Sequence, residues 1–203
     1  MMPVPLQPEP ESFAVRVTAP GLKFLQEIAN PAIEQWKGRE YWQQALPDMR
    51  KAYQGLCAYC AHWIPHSTGN HSIDHFIPKS HNPTLAYTWS NFRYIAARFN
   101  SRKGTRTILD PFQLLPDWFV LDFASFLIRA HPDLQPEQKA AVSQTIQILR
   151  LNSDDDLVFE RQSWIISYQQ DDISFAHLQR HAPFIAYELK RQGLLVHTEK
   201  RIV

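Results

Sequence analysis

An aspartate and a histidine stand side by side in "SIDHFIPKS", residues 72 to 80, and further polar residues follow before residue 104. Hydrolysis of a phosphodiester needs a base to activate water, a divalent cation to neutralise charge, and cationic groups to hold the backbone. Asp74 and Asn100 offer oxygen ligands of the kind that Mg²⁺ and Mn²⁺ prefer. His75 suits a general base, because its unperturbed pKa lies near neutral pH. Alternatively, Asp74-His75 is a polar turn that closes a strand.

The residues after this pair form a basic segment in a protein whose formal net charge is only +1. No acidic residue occurs between Asp74 and Asp110. We interpret the basic residues as contacts to a nucleic-acid backbone, with a solvated charged surface as the alternative. The candidate nucleic-acid-binding residues are Lys79, Arg93, Arg98, Arg102 and Arg106.

The elements that must position these residues are short. "HSIDHF" and "NFRYIAA" are predicted strands, "NPTLAYTW" is a loop between them, and a helix is predicted from Arg98 to Gly104. Neighbouring side chains of a strand point to opposite faces. Asp74 and His75 therefore serve one site only if the strand ends or twists there.

The regions on either side are predicted to be mainly helical, giving an α+β protein. We divide the chain into a flexible Pro-rich arm or extended strap (1–19), an N-terminal helical segment (20–56), a core (57–110) and a C-terminal, mainly helical region (111–203). An amphipathic helix is predicted over 39–56, and further helices in "PEQKAAVSQTIQILRLN" and "APFIAYELKRQG". "DWFVLDFASFLI" is strand-like or a buried segment.

Composition excludes several classes of protein. With 203 residues and 44% apolar content the chain can bury a core, so we exclude a disordered protein. The start, "MMPVPLQPEPESF", lacks the basic and apolar regions of a signal peptide, and no apolar run is long enough to span a bilayer. Two cysteines argue against a secreted disulfide framework. We expect a cytoplasmic protein without a membrane partner.

The polar residues in their order resemble the HNH endonucleases, whose ββα-metal fold is a hairpin with a long loop followed by a helix. The matching residues are Asp74-His75, Asn91 in "WSNF", Asn100 in "FNSRKG" and Lys103 in the "N-x-x-K" ending. The resemblance implies that Asp74 and Asn100 bind one Mg²⁺ or Mn²⁺ and that His75 is the general base. It further implies that Asn91 braces the base and the loop, and that Lys103 lies near the scissile phosphate.

Within the family, "CAYC", "DHF-x-PKS" and "Y-x-W-x-N" look most like a small defence-associated branch. That branch includes the nuclease partner of an ATPase in Septu-type anti-phage systems. The resemblance implies DNA as the substrate and an ATPase as a partner protein. It covers only residues 57 to 104.

Two cysteines, Cys57 and Cys60, depart from the family's pattern. Many HNH proteins hold a structural zinc with two C-x-x-C pairs, and the positions of the second pair are Ala96 and Phe99 here. A zinc site completed by His62, His66 or His71 is one alternative. The preferred interpretation is a pair of buried thiols, with packing at Ala96 and Phe99 replacing the second pair.

Other functions stay open at the level of sequence. A non-catalytic nucleic-acid-binding or scaffold module with a degenerate HNH fold would keep the hairpin and the basic segment without cutting. A ribonuclease of the same fold would differ only in substrate. Asn91 could also be a turn residue, and Asn100 a helix N-cap.

Overall fold

Residues 1–196 are described by the computed structural model of the protein. This part of the chain combines seven α-helices with two small antiparallel sheets, in agreement with the predicted α+β class. The helices are α1 (Ala19–Glu27), α2 (Leu46–Ala52), α3 (Arg98–Lys103), α4 (Pro136–Leu149), α5 (Asp155–Gln169), α6 (Phe175–His181) and α7 (Pro183–Arg191). The strands are β1 (His71–His75), β2 (Phe92–Ala96), β3 (Phe119–Asp122) and β4 (Leu127–Ala130).

The central unit has the predicted order of strand, loop, strand and helix. Strands β1 and β2 pair antiparallel, with Asp74 opposite Arg93 and His75 opposite Phe92. The loop between them contains two short 3₁₀ turns, Pro83–Leu85 and Trp89–Asn91. Helix α3 ends at Gly104, whose φ of 53° lies in the region that favours glycine. The two predicted strands and the predicted short helix are thereby confirmed.

The helix predicted over 39–56 is divided in two. A 3₁₀ helix, Tyr41–Ala45, leads directly into α2. Pro47 explains the division, because proline lacks an N–H and fits the first turn of a helix but not its interior. The apolar face survives the change, since Trp42, Met49 and Tyr53 are all buried.

The N-terminal residues lie against the core. Met1 and Phe13 are buried, and the ring of Phe13 packs edge-to-face on Trp89 and Phe92. The indole N–H of Trp89 donates to the carbonyl oxygen of Gln7 (2.8 Å). A π-helical turn, Ala14–Thr18, follows. These contacts favour the extended strap over the flexible arm.

The C-terminal region begins with a hairpin of β3 and β4, so the strand interpretation of "DWFVLDFASFLI" is confirmed. Helices α4 and α7 match the two helices expected there. Helix α4 ends at Arg150, which is left-handed (φ 55°), rather than at Asn152. The Asn152 amide instead hydrogen-bonds the backbone of Ile128 in β4. Residues 197–203 of the predicted C-terminal region lie outside the described residues.

The core of the described chain is rich in aromatic side chains around the β1–β2 hairpin. Tyr59, Phe92 and Phe99 are fully buried there, beneath the polar residues of β1 and α3. Of the helices in residues 1–196, none has both the length and the apolar character required to cross a bilayer.

Candidate active site

His75 is fixed by one hydrogen bond and two aromatic contacts. Its Nε2 lies 2.9 Å from the carbonyl oxygen of Ala86. Because a carbonyl oxygen can only accept, Nε2 carries the proton and Nδ1 keeps its lone pair. The ring packs edge-to-face against Trp42 (4.8 Å between centroids) and Phe92 (5.3 Å). Nδ1 is therefore the basic atom of a ring whose orientation is fixed.

Burial lowers the pKa of His75 to about 4. The hydrogen bond to Ala86 acts in the opposite direction, and the positive charges of Lys79 and Lys103 lower the pKa further. A lowered pKa keeps the imidazole neutral at physiological pH. A neutral imidazole is the form that can accept a proton from water.

Asp74 lies on the other face of β1, where it is 4% exposed. The Tyr59 hydroxyl donates to its Oδ2 (2.5 Å), and Lys103 Nζ lies 3.1 Å from the same oxygen. Burial raises the pKa of this carboxyl, while Lys103, the Tyr59 hydrogen bond and Arg93 act against that rise. Asp74 is thus a buried carboxylate with a fixed direction.

Asn100 links helix α3 to strand β1. Its amide nitrogen donates to Ser72 Oγ (2.6 Å) and to the carbonyl oxygen of Ile73 (3.1 Å). These bonds use the amide nitrogen and leave the amide oxygen without a hydrogen-bond partner among residues 1–196. Asn100 and Asp74 both line one cleft of about 390 Å³. One carboxylate and one amide oxygen on one cleft fit the ligands that Mg²⁺ and Mn²⁺ prefer.

A second cleft, of about 640 Å³, adjoins the first. His75, Lys79 and Asn100 line both clefts. Strand β1 ends at His75, and the two clefts bring together the candidate base, a cation and the candidate metal ligands, although Asp74 and His75 alternate along the strand.

Lys79 is held at these clefts by two indole rings. Its ammonium lies 5.5 Å from the ring centroid of Trp36 and 5.2 Å from that of Trp42. Cation–π contacts of this kind orient a lysine without neutralising it. Among the predicted nucleic-acid-binding residues, Lys79 has the placement that best fits a phosphate contact beside His75.

Asn91 braces the loop and does not line either cleft. Its side chain is buried, accepts from the N–H of Ile77 (2.8 Å) and donates to the carbonyl oxygens of Ile77 (3.0 Å) and Leu85 (3.1 Å). Leu85 precedes Ala86, which holds His75. Asn91 therefore holds the loop whose Ala86 carbonyl contacts His75, which is the bracing position that the resemblance implies.

Lys103 does not lie at the surface where a scissile phosphate would bind. Its side chain is fully buried, and Nζ contacts the Asp74 carboxylate and the carbonyl oxygen of His75 (3.0 Å). The sequence prediction of a phosphate contact is corrected accordingly. The reason is that α3 packs across the end of β1, which directs this side chain inward.

Arg93 is also directed inward, against its prediction as a nucleic-acid contact. It is 3% exposed, and its guanidinium makes a bidentate ion pair with Asp110 (2.9 and 2.7 Å). The ring of Phe112 covers one face of the guanidinium at 3.5 Å. A guanidinium that is paired and covered in this way cannot reach a phosphate.

The remaining predicted arginines differ in their surroundings. Arg98 and Arg102 both pair with Asp154 at the start of α5. Arg106 is exposed and donates to the carbonyl oxygen of Lys103 (3.3 Å). The basic segment is thus largely neutralised by acidic residues distant in sequence, and Lys79 and Arg106 stay the better placed cations.

Cys57 and Cys60 are buried free thiols. The backbone N–H of Ala96 reaches Cys57 Sγ (3.4 Å), and Phe99 packs edge-to-face on Tyr59. Within residues 1–196, no three His, Cys, Asp or Glu side chains are grouped so as to hold a metal ion. Zinc binding by these cysteines stays an untested prediction.

Sequence reasoning missed three contributors to this site. Neither Trp42 nor Tyr59 is among the predicted site residues, and the carbonyl of Ala86 has no signature in sequence. The sequence contains a weak signal for Trp42 and Tyr59, in the position that each occupies. Trp42 lies in the amphipathic pattern, and Tyr59 lies between the two cysteines of "CAYC".

Comparison with known proteins gives one relationship. No protein-family model matches the chain. The chain is similar to the Septu protein PtuB of Bacillus thuringiensis, with 27% identity over 144 residues, which cover 68% of this chain and 51% of that protein. The chain therefore spans about half the length of the curated relative that it matches.

Proposed function

We propose that this chain is a metal-dependent, HNH-type endonuclease that hydrolyses DNA phosphodiester bonds in anti-phage defence. The observation that carries the proposal is the hydrogen bond from His75 Nε2 to Ala86, since it leaves Nδ1 as a fixed base beside Asp74 and Asn100. The order strand, loop, strand and helix supports the ββα-metal fold that the sequence resembles.

In this reaction each side chain has a separate task. His75 Nδ1 accepts the proton of the attacking water, and the Ala86 carbonyl keeps the ring aimed at that water. Lys79 attracts the phosphate into the cleft. Asn91 holds the loop in place through the backbone of Ile77 and Leu85. Trp42 and Phe92 exclude solvent from two sides of the imidazole.

Asp74 and Asn100 would hold the divalent cation through a carboxylate and an amide oxygen. When bound, Mg²⁺ or Mn²⁺ supplies neutralisation of the negative charge that develops on the phosphate and the leaving oxygen. Tyr59 keeps the Asp74 carboxylate in a fixed direction from below. The amide nitrogen of Asn100 is tied to β1, which directs its oxygen away from the strand.

The proposal of a defence role rests on the similarity to the Septu protein PtuB. By the same resemblance, we propose that the chain acts together with an ATPase partner that controls cutting. Most arginines of the basic segment are in ion pairs with aspartates. Few unpaired cations are therefore available for tight binding of DNA by the chain alone, which agrees with a need for a partner.

The proposal is tested first in solution. Plasmid DNA and RNA are incubated with the chain, with and without its genomic neighbour, in Mg²⁺ or Mn²⁺ and in EDTA. We expect DNA cleavage that EDTA abolishes, and a loss of about a hundredfold or more in rate for His75→Ala. His81→Ala is the matched control, since His81 lies exposed in the same loop.

A test in cells covers the case in which cutting needs the complete system. Cells that carry the system with wild-type protein or His75→Ala are challenged with phage, and plaques are counted. Protection that survives His75→Ala at wild-type level, together with uncut DNA in solution, would overturn the nuclease and favour the scaffold module. Cleavage of RNA alone would replace DNA by RNA as the substrate.

A further inference from the structure

Lys103 lies beneath the candidate metal site as a fully buried cation. Its Nζ is 3.1 Å from Asp74 Oδ2, 3.3 Å from Asp74 Oδ1 and 3.0 Å from the carbonyl oxygen of His75. The ring of Phe76 lies 5.7 Å from the ammonium. The Lys103 side chain is almost wholly buried, with 1% of its surface exposed. The ammonium is therefore committed to Asp74 and to the backbone of β1.

The Asp74 carboxylate is correspondingly occupied on its inner side. Oδ2 receives the Tyr59 hydroxyl (2.5 Å) as well as the ammonium, and Oδ1 also contacts the ammonium. Asp74 also lines the cleft that it shares with Asn100. The residue thus contacts a buried cation and borders the candidate metal site.

We infer that Lys103 is an internal counter-cation of Asp74 that competes with the divalent cation, so that it limits the affinity of the site for metal. This inference rests on the proposed function, because it concerns the same Asp74–Asn100 site. Lys103 acts through Asp74 and is a positioning residue, not a catalytic one.

The physical basis is the cost of leaving a buried charge without a partner. In the absence of metal, the Asp74 carboxylate needs a counter-charge, and Lys103 provides one. When a divalent cation binds Asp74, the ammonium lies within a few ångströms of a second positive charge, and the two repel. Binding must therefore overcome either this repulsion or the loss of the Lys103–Asp74 contact. The site consequently stays folded without metal but binds metal weakly.

The test measures Mn²⁺ binding to the full chain by isothermal titration calorimetry. Lys103→Gln removes the charge and keeps a side chain that can donate to the His75 carbonyl. We expect Mn²⁺ to bind Lys103→Gln roughly tenfold more tightly than the wild type. Lys79→Gln is the matched control, since Lys79 lines the same cleft without contacting Asp74, and its effect is expected to be much smaller. Asp74→Asn is expected to abolish binding.

The outcomes separate this inference from the proposed function. Binding that depends on Asp74 but is unchanged or weaker in Lys103→Gln overturns the competition, and the metal site stands. Absence of Asp74-dependent Mn²⁺ binding in both the wild type and Lys103→Gln overturns the metal site itself and the competition with it.

A second measurement needs no variant of Lys103 and decides the matter if Lys103→Gln does not fold. The ¹³Cε resonance of Lys103 is followed in the wild type during titration with Mg²⁺. We expect it to move in proportion to metal binding, because the ammonium loses or alters its contact with Asp74. A resonance that stays in place while Mg²⁺ saturates the Asp74 site overturns the inference.

Discussion

At the scale of single residues, the site depends on hydrogen bonds between side chains and the backbone of the loop between β1 and β2. The Ala86 carbonyl orients His75. Asn91 hydrogen-bonds the backbone of Leu85, which adjoins Ala86, and of Ile77 at the other end of the loop. The residue types and their order could be read from the sequence, because acids, imidazoles and amides have distinct chemistry. The direction of each side chain could not, because it depends on tertiary hydrogen bonds to residues distant in sequence.

The first prediction concerns Asn91→Ala. Its loss leaves the N–H and the carbonyl of Ile77 without their partner, while the carbonyl of Leu85 keeps the N–H of Thr88 (3.3 Å). We therefore expect the free energy of unfolding to fall by about 1–3 kcal/mol. Urea denaturation measures the change. Asn82→Ala is the control, since Asn82 also bonds within this loop, to Thr84, but at the surface. Equal losses of stability in Asn91→Ala and Asn82→Ala would contradict the role of Asn91 in bracing the loop.

The second prediction concerns protonation of His75. An imidazole in the unfolded chain takes up a proton with a pKa of about 6.5, whereas burial lowers the pKa of folded His75 to about 4. The stability that His75 contributes is therefore complete above pH 6.5 and is lost as the pH falls towards 4. We expect the His75 ring resonances to titrate near pH 4 in NMR spectra of the folded protein. Titration near 6.5 would show that the ring is solvated.

Lys103 and Arg93 illustrate where residue-level prediction ends. Arg93 is predicted to contact nucleic acid because it lies in a segment without acidic residues, and the HNH resemblance implies that Lys103 lies near the scissile phosphate. Their partners, Asp74 and Asp110, are the two acids that bound this segment, and they reach it only in the folded hairpin. A charge run in sequence is therefore a poor guide to surface charge when strands pair across it.

At the scale of elements, α3 is connected to α5 by charge. The Asp154 carboxylate caps α5 through the N–H of Asp156 (3.1 Å) and pairs with Arg98 and Arg102 of α3. Three consecutive acids, 154 to 156, resemble a solvated turn in the sequence. In the fold, Asp154 is an N-cap that also pairs with two arginines of α3, and only the tertiary structure brings these groups together.

The third prediction concerns Asp154→Ser. Serine keeps the cap but removes the ion pairs of Arg98 and Arg102 with Asp154 and leaves Arg98 only its longer contact with Asp156 (3.7 Å). We therefore expect affinity for duplex DNA to rise several-fold at low salt and the salt dependence to steepen. Fluorescence anisotropy with a labelled duplex at two salt concentrations measures both. The control is Asp133→Ser, because Asp133 is 88% exposed and its removal changes the net charge equally. An equal rise in both variants would mean that only net charge matters.

At the scale of the whole molecule, the N-terminal strap and the β1–β2–α3 unit share one core. Phe13 packs on Trp89 and Phe92, and the backbone N–H of Val4 donates to the carbonyl oxygen of Pro111 (2.9 Å). Proline-rich composition favoured an arm in the sequence, since proline disfavours helices and strands. Composition does not reveal that such a segment packs, because its anchors are single apolar residues.

The fourth prediction concerns Phe13→Ala. Removal of a fully buried ring leaves a cavity between Trp89 and Phe92, so we expect a loss of about 3–5 kcal/mol in the free energy of unfolding. Phe159→Ala is the control, because Phe159 is 68% exposed on α5 and its removal is expected to change stability by no more than about 0.5 kcal/mol. Thermal and urea unfolding compare the two. A small loss of stability in Phe13→Ala would show that residues 1–19 form a flexible arm and not a packed strap.

The bonds that Asn91 makes to Ile77 and Leu85 also define what this loop can tolerate. They fix both ends of the stretch from 78 to 84, which holds the Ala86 carbonyl against His75. We expect changes in the turn between these ends to leave the imidazole in place. For the same reason, the exposed position of His81 is a suitable place to attach a fluorescent label.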